Sequence, residues 1–439
     1  MLERVTTIAG KLTFVIARSL HLGSGGTWPG EVALFLQRNI LKSYWSHVKK
    51  GVIIVAGTNG KTTTAKMIAT MLSPKKIITN ISGANLLNGL VSAFIQKSGW
   101  FGGISGDWAV FEVDERTLAL LLAQFTKRIE HLQIILVCLN LFRDQLDRYG
   151  EVDAIAILWQ KALEKFPFPV TLILNADDPQ VAYLGQNSQN KNITSFYFGL
   201  SEPREFLVSE DHASDFSYCP KCYHKLSYQG FYFSHLGVWK CSHCGNSRPK
   251  LDISDGPHIL PGLYNRYNTL AAVQVGKILG LSDNYIASKL RNFQPAFGRQ
   301  EELEVGGNKI KILLSKNPAG FNASLRTVLE AKPKVLVLVL NDRIPDGKDV
   351  SWIWDVDFEM ISPKVALVVS GDRVYDFAVR MKYAINTDLS HHRLYIEPEL
   401  KKAIDKGLEL TPEKSTLFIL PTYTAMLETR QILKGRKIL

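Results

Sequence analysis

Four β-branched apolar residues, 52–55, lead through Ala56 into Gly57-Thr58-Asn59-Gly60-Lys61-Thr62-Thr63, and helical patterning then continues to residue 72. No other segment constrains the fold as strongly. The apolar run reads as a buried strand. The glycines allow a turn in which backbone N–H groups converge, and a helix starting there adds partial positive charge. A strand–loop–helix phosphate site is therefore expected. The common form of this loop is G-x-x-x-x-G-K-[ST], and Val55 stands where its first glycine would be, so the loop is a compact variant. In it Gly57, Thr58, Asn59, Gly60, Lys61, Thr62 and Thr63 would cradle the phosphates of a nucleotide. Lys61 would pair with the β- and γ-phosphates, and the Thr62 hydroxyl would ligate Mg²⁺.

Further apolar runs at 109–111, 134–137 and 170–174 alternate with helical segments, the pattern of a parallel sheet covered on both faces. Carboxylates follow the first of these strands in Phe111-Glu112-Val113-Asp114-Glu115, where an open α/β sheet places its site. Glu112 is a candidate Mg²⁺ ligand, against the alternative that these are only loop charges. The next strand runs into "NLFRDQLDRYG" (140–150), too polar for a casual loop. Helical patterning returns at 268–281. A second α/β series has strands at 310–314, 335–340, 365–370 and 417–420. The fold class is therefore α/β, with a phosphate-loop domain at 51–297 built on a parallel-rich sheet and a Rossmann-like α/β domain at 298–439. Residues 1–50 form a short helical region with apolar patterning at 8–17, a break at Gly23, Gly25 and Gly26, and a second segment at 32–41 opened by Pro29.

Residues 206–256 break the α/β rhythm and read as an insert. Cys219-Pro220-Lys221-Cys222, 18 further residues, and Cys241-Ser242-His243-Cys244 have zinc-ribbon spacing. Cys219, Cys222, Cys241 and Cys244 would form a closed, structural Zn²⁺ site rather than a redox pair. The fifth cysteine, Cys138, sits in an apolar run and reads as core. Net charge is +11, and residues 1–50 carry seven Lys/Arg against Glu3 and Glu31. Such a balance suits nucleic acid, a polyphosphate, an anionic membrane face or an ordinary solvated surface. The amphipathic N-terminal segments pack on their own domain or lie against a membrane surface. No apolar run reaches the length of a spanning helix, and the N-terminus lacks a signal-peptide pattern, so a cytoplasmic chain is expected.

"GTNGKTT", the E-x-D-E segment and "N-L-x-x-D-x-L-D-x-Y-G", in this order, resemble the ATP-dependent Mur ligase and folylpolyglutamate synthase superfamily. "NADDP" (175–179) and "GLYNRYNTLAA" (262–272) agree with it. The resemblance implies that Asn265 and Asn268 lie at the nucleotide and that Arg299 and Lys316 supply further phosphate-side charge. Two departures stand out. Gln145 occupies the position of a His that helps hold a second metal in Mur ligases. The carbamylated Lys of many Mur ligases has no clear counterpart, Lys161 being merely nearby. The cysteine insert, "LSKNPAGFN" (314–322), "DGKDVSWIWDVDFE" (346–359) and "LPTYTAMLETR" (420–430) narrow the resemblance to the synthetase subunits of lipid II isoglutaminyl synthases.

That branch implies ATP-dependent amidation of the D-glutamate α-carboxylate in the lipid II stem peptide, through an acyl phosphate. A glutaminase needs an activated Cys–His pair. With Cys138 in the core the ammonia must come from another chain, which the resemblance identifies as a GatD-type glutamine amidotransferase. It further implies that an Asp of this chain completes the glutaminase site, and the matching residue is Asp349. Asp346 and Asp355 stay open as neighbours, as does the reading in which Asp349 only caps a helix near Ser351. On this resemblance the catalytic residues are Asp349, Glu112 and Lys61, and the chain works in the cytoplasm, peripheral at the inner membrane face. The alternatives are a superfamily ligase that adds an amino acid and, more remotely, a zinc-ribbon nucleic-acid binder. The latter leaves the phosphate loop unexplained, and the segment 216–240 carries only Lys221, Lys225 and Lys240 among its aromatics.

Overall fold

A computed structural model describes residues 2–20, 26–80, 83–126, 129–144, 152–207, 210–295, 299–305, 307–385 and 393–434. Gly23, Gly25, Gln145 and the expected boundary at Phe297 lie outside these residues. The first sheet contains β1 (Val48–Ala56), β2 (Ile77–Thr79), β3 (Gly106–Val113), β4 (Gln133–Cys138), β5 (Val170–Asn175) and β6 (Ile193–Phe198). Its order is β2-β3-β1-β4-β5-β6, and every pairing is parallel. The chain runs from β1 to the edge strand β2, returns to β3 beside β1, and then restarts on the other side of β1 with β4. The carboxyl ends of β1, β3 and β4 consequently meet at the switch point, where ligands bind in such sheets.

Alternation along β1 divides two cores. Val52, Ile54 and Ala56 pack with Tyr44, Trp45 and Phe94 of the N-terminal layer, whereas Ile53 and Val55 face the helices Lys61–Leu72 and Leu263–Ile278. Strands buried on both faces need apolar residues at every position, which is why residues 52–56 of β1 read as an unbroken apolar run, beyond the exposed Lys49 and Lys50 at its start. The expected helix at 32–41 is instead two helices, Trp28–Leu36 and Ile40–Tyr44. Pro29 starts the first, and Gln37, extended at φ −148°, ends it. The helix expected at 268–281 begins earlier, at Leu263, and stops at Ile278. Gly280 follows at φ +74°, a left-handed stop that glycine adopts without strain.

Between β6 and that helix the chain forms an antiparallel hairpin, β7 (Ser227–Phe233) and β8 (Leu236–Lys240). Its seat on the first sheet is polar as well as apolar. The Trp239 indole donates to the Ala176 carbonyl at 2.9 Å, and the Gly237 N–H donates to Asp177 at 3.0 Å. Asp177 also pairs with Arg248 and accepts from the Tyr267 hydroxyl at 2.7 Å.

The second sheet contains β9 (Arg299–Val305), β10 (Asn308–Leu313), β11 (Val335–Val339), β12 (Ala366–Ser370), β13 (Leu394–Ile396) and β14 (Thr416–Pro421). Its order is β13-β12-β11-β14-β10-β9, parallel except for the edge strand β9. Helices cover both faces. Among the described residues no helix is long and apolar enough to cross a membrane.

Phe321, fully buried on the helix Pro318–Glu330, packs edge-on against Phe358 and Phe377. Phe321→Ala is expected to cost about 3–5 kcal/mol, measured by urea denaturation followed with far-UV circular dichroism.

Candidate active site at the sheet switch point

The loop between β1 and its helix is held by groups from the end of β4. The Asn140 carbonyl accepts from the Thr58 N–H at 3.0 Å, and its side-chain oxygen accepts from the Asn59 N–H at 2.8 Å. The Thr58 hydroxyl donates to the Phe142 carbonyl and accepts from the Phe142 N–H, both at 3.0 Å. Gly57 and Gly60 take φ of +134° and +91°, values that cost other residues strain. A Cβ on Gly60 would also lie 2.0 Å from the Asn268 side-chain oxygen. Asn268 thus closes on the loop, and its amide donates to Asn265 at 3.2 Å.

Lys61 folds back over its own loop. Its Nζ donates to the Gly57 carbonyl at 2.5 Å and to Thr58 at 3.1 Å, and it lies 3.4 Å from the Glu115 carboxylate. The Thr62 hydroxyl donates to Glu112 Oε2 at 2.5 Å. Parallel pairing explains that meeting. Glu112 lies opposite Val55, two residues before Gly57. Its backbone is fixed by Asn80, which accepts from the Glu112 N–H and donates to its carbonyl. Thr62 and Glu112 therefore present two oxygens within one coordination sphere of a small hard cation, a donor set that fits Mg²⁺.

Glu115 is fully buried, and burial alone would raise its pKa. The charges of Lys61 and then Lys316 outweigh that and hold it below the usual glutamate value. Its place among the basic groups was legible only as the last residue of "EVDE". Asn140 gave no stronger signal than its position in the polar loop.

The second domain reaches the same place. Lys316 pairs with Asp144, and Asn59 and Asn317 exchange side-chain hydrogen bonds at 3.3 and 3.2 Å. Asn317 also caps the helix Pro318–Glu330 by accepting from the Gly320 N–H at 2.8 Å. Arg143 joins Asp215 of the insert at 2.6 Å to Asp355 of the second domain at 3.2 Å. Between the loop and the second domain lies a pocket lined by Asn59, Thr63, Asn265, Leu314, Gly320 and Ser324. Arg299 opens β9 opposite Leu313, and its side chain lies outside the described residues. Lys161 is exposed on the helix Val152–Glu164, and Gln145 lies outside the described residues.

The four paired cysteines converge. The Sγ atoms of Cys219 and Cys244 are 3.6 Å apart, those of Cys222 and Cys241 are 3.5 Å apart, and all four lie within 4.8 Å of one another. Zn–S bonds of about 2.3 Å in a tetrahedron require edges of about 3.8 Å, so the thiolates fit that ion. Cys138 is wholly buried, and burial, then the Asp178 charge, push its thiol far up. It is a core residue, not a nucleophile.

Of the three aspartates in "DGKDVSWIWD", Asp346 is buried and accepts from Thr424, and Asp355 pairs with Arg143. Asp349 is exposed and accepts from the Ser351 N–H at 2.8 Å; hydrogen bonds with the Ser351 side chain and then its N–H lower the Asp349 pKa. The contact with Ser351 weighed in the sequence is thus present, on a residue that stays exposed.

A compact phosphate loop at the switch point of a parallel sheet, closed by a second α/β domain, defines an ATP-dependent ligase of the Mur type. The Mur ligase middle domain matches residues 55–276 and the MurT ligase C-terminal domain matches residues 314–426. The subunit MurT of the glutamine-hydrolysing lipid II isoglutaminyl synthase of Streptococcus pneumoniae is 32% identical, over 98% of this chain and 97% of its own. That of Staphylococcus aureus strain COL is 33% identical, over 93% of each. A pseudomurein peptide ligase type C from Methanothermus fervidus shares the fold with a TM-score of 0.63 at 21% identity, over 88% of this chain and 79% of that one. The chain belongs to the MurT family.

Because the folded pKa of Glu115 lies below its unfolded value, its ion pair contributes stability above roughly pH 4.3 that is lost as pH falls through the folded value. Glu115→Gln is expected to destabilise the protein by roughly 3 kcal/mol at neutral pH. The difference from wild type should shrink below about pH 4, as read from denaturant midpoints across pH.

Proposed function

We propose that this chain is the synthetase subunit of a lipid II isoglutaminyl synthase. It converts the D-glutamate α-carboxylate of the lipid II stem peptide to the amide, using ATP and ammonia from a GatD-type glutaminase. The observation that carries the reading is a coincidence of two boundaries. The MurT-type C-terminal match begins at residue 314, and the Lys316 and Asn317 that close on the phosphate loop stand at its start.

In this reading Lys61 exchanges its two carbonyl partners for phosphate oxygens, with Asn59 and the loop N–H groups around them. Thr62 and Glu112 would hold Mg²⁺, which neutralises charge on the transferring phosphoryl group. A carboxylate oxygen of the acceptor attacks the γ-phosphorus, giving an acyl phosphate and releasing ADP. Ammonia then attacks the carbonyl carbon, the bond to the phosphate oxygen breaks, phosphate leaves and a proton passes to solvent. Lys316, with Arg299 where the superfamily places it, would stabilise the same charge. Asn265 and Asn268 would line the nucleotide pocket.

The Cys219, Cys222, Cys241 and Cys244 cluster would hold a structural Zn²⁺ that fixes the insert against Asp177 and the catalytic loop. Elemental analysis of the purified chain should find about one zinc per chain. Cys222→Ser should lose most of it and lower the unfolding midpoint. A metal-free, equally stable wild type would remove the zinc assignment.

Asp349 would orient the partner's catalytic pair from outside. Purified with its glutaminase and supplied with lipid II, ATP, Mg²⁺ and glutamine, the chain should form the amidated product. Asp349→Asn should reduce glutamine-driven amidation by about 10²–10⁴-fold, the range of a positioned catalytic partner, while activity with free ammonium persists. Equal loss of both activities would assign Asp349 elsewhere.

A further inference from the structure

The first helix, Leu2–Ser19, exposes its apolar side chains. Its inward face is small and polar, with Thr6, Thr7, Gly10 and Ala17 buried. Leu2, Val5, Leu12 and Ile16 are exposed, Leu12 at 51% and Ile16 at 55%. At about 100° per residue these four positions fall within roughly 80° of one another. The stripe continues to the exposed Leu20 just past the helix end and so runs roughly 27 Å at 1.5 Å per residue. Beside its N-terminal end stands the loop that carries Trp100 and Phe101, exposed at 62% and 88%. Gly102 anchors that loop, since a Cβ there would lie 3.1 Å from the Arg4 carbonyl.

The exposed charges of the helix, Arg4 and Arg18, have one sign. Glu3 is the helix's single acidic residue, and it is half-buried against His47 at 2.5 Å. Lys11 is occupied with the carbonyls of Ile95, Gln96 and Ser98 at the end of the helix Leu87–Lys97. Arg4, Arg18 and Lys97 remain exposed. A solvent-facing aliphatic stripe, two aromatic side chains at a loop tip and a flanking set of cations combine apolar burial with attraction to anionic lipid headgroups. A contiguous exposed apolar face of this kind marks an interaction site rather than ordinary surface.

We propose that the outer stripe of the first helix, with the Trp100-Phe101 loop, docks on the surface of an anionic phospholipid bilayer and holds the ligase at the membrane. The proposal deepens the functional reading above and rests on it for its purpose, because a lipid-linked acceptor lies at that surface. The stripe itself is independent of that reading.

The test is flotation of the purified full-length chain with vesicles of phosphatidylcholine alone and of phosphatidylcholine containing about a third phosphatidylglycerol. Binding to the anionic vesicles is expected, weakened by high salt, and reduced about tenfold or more by the pair Leu12→Glu and Ile16→Glu or by Phe101→Ser. These exposed positions should leave amidation of a water-soluble, prenyl-free acceptor unchanged while lowering amidation of the vesicle-embedded one. Failure of wild type to bind anionic vesicles, or equal binding by the variants, overturns the proposal. So does a wild-type dimer that the substitutions dissociate, because a second copy would then cover the stripe. Failure to amidate the soluble acceptor, with vesicle binding intact, would count against the ligase reading and leave the docking surface standing.

Discussion

A phosphate loop must be rigid while leaving its inward N–H groups free for a ligand, and the rest of the molecule follows from how that conflict is met. The loop after β1 is held from its outer side, where Asn140 takes the N–H groups of Thr58 and Asn59 and the Thr58 hydroxyl locks onto Phe142. Those partners exist only because β4 lies directly beside β1 in parallel register. Glu112 meets Thr62 for the same reason on the other flank, through β3. The restart of the sheet at β4 is thus the geometric condition for the site.

The second domain completes the enclosure mostly with amides and charges, and only Ala319 and Ala323 of its helix join the first domain's apolar core among the described residues. Asn317 caps its own helix and also reaches Asn59, so the end of one domain's helix is fixed to the other domain's loop. Lys316 meets Asp144 beside it, and Arg143 ties together the insert and the second domain. Polar contacts of this sort are directional and individually modest. An interface built from them can separate and re-form, as a ligase that admits ATP and a large acceptor requires.

Much of this was legible in the chain. The paired cysteines announced their cluster because two short knuckles fix four thiolates locally. The strands β1, β4, β5 and β11 announced themselves because burial on both faces demands continuous apolar residues. The short strand β2 and the edge strands β6, β9 and β13 were not anticipated. Their exposed or half-buried positions carry no such pattern, and pairing with a distant neighbour makes them strands. The break at Gln37 inside the expected helix also lacked a signal, since neither glycine nor proline marks it.

The sequence by itself determined the phosphate loop, the α/β class, the cysteine quartet and the core character of Cys138, because each depends on residues close together in the chain. Only the tertiary structure decided that Glu115 and not Glu112 faces Lys61, that Asn140 holds the loop, and that Asp346 is committed to Thr424 while Asp349 stays exposed. It also turned the apolar side of the first helix outward, although the periodicity is the same as for a helix packed on its own domain. Periodicity gives a helix its faces. Which face is buried depends on the neighbours, and here small residues against Pro29 and Ile95 took the inner side.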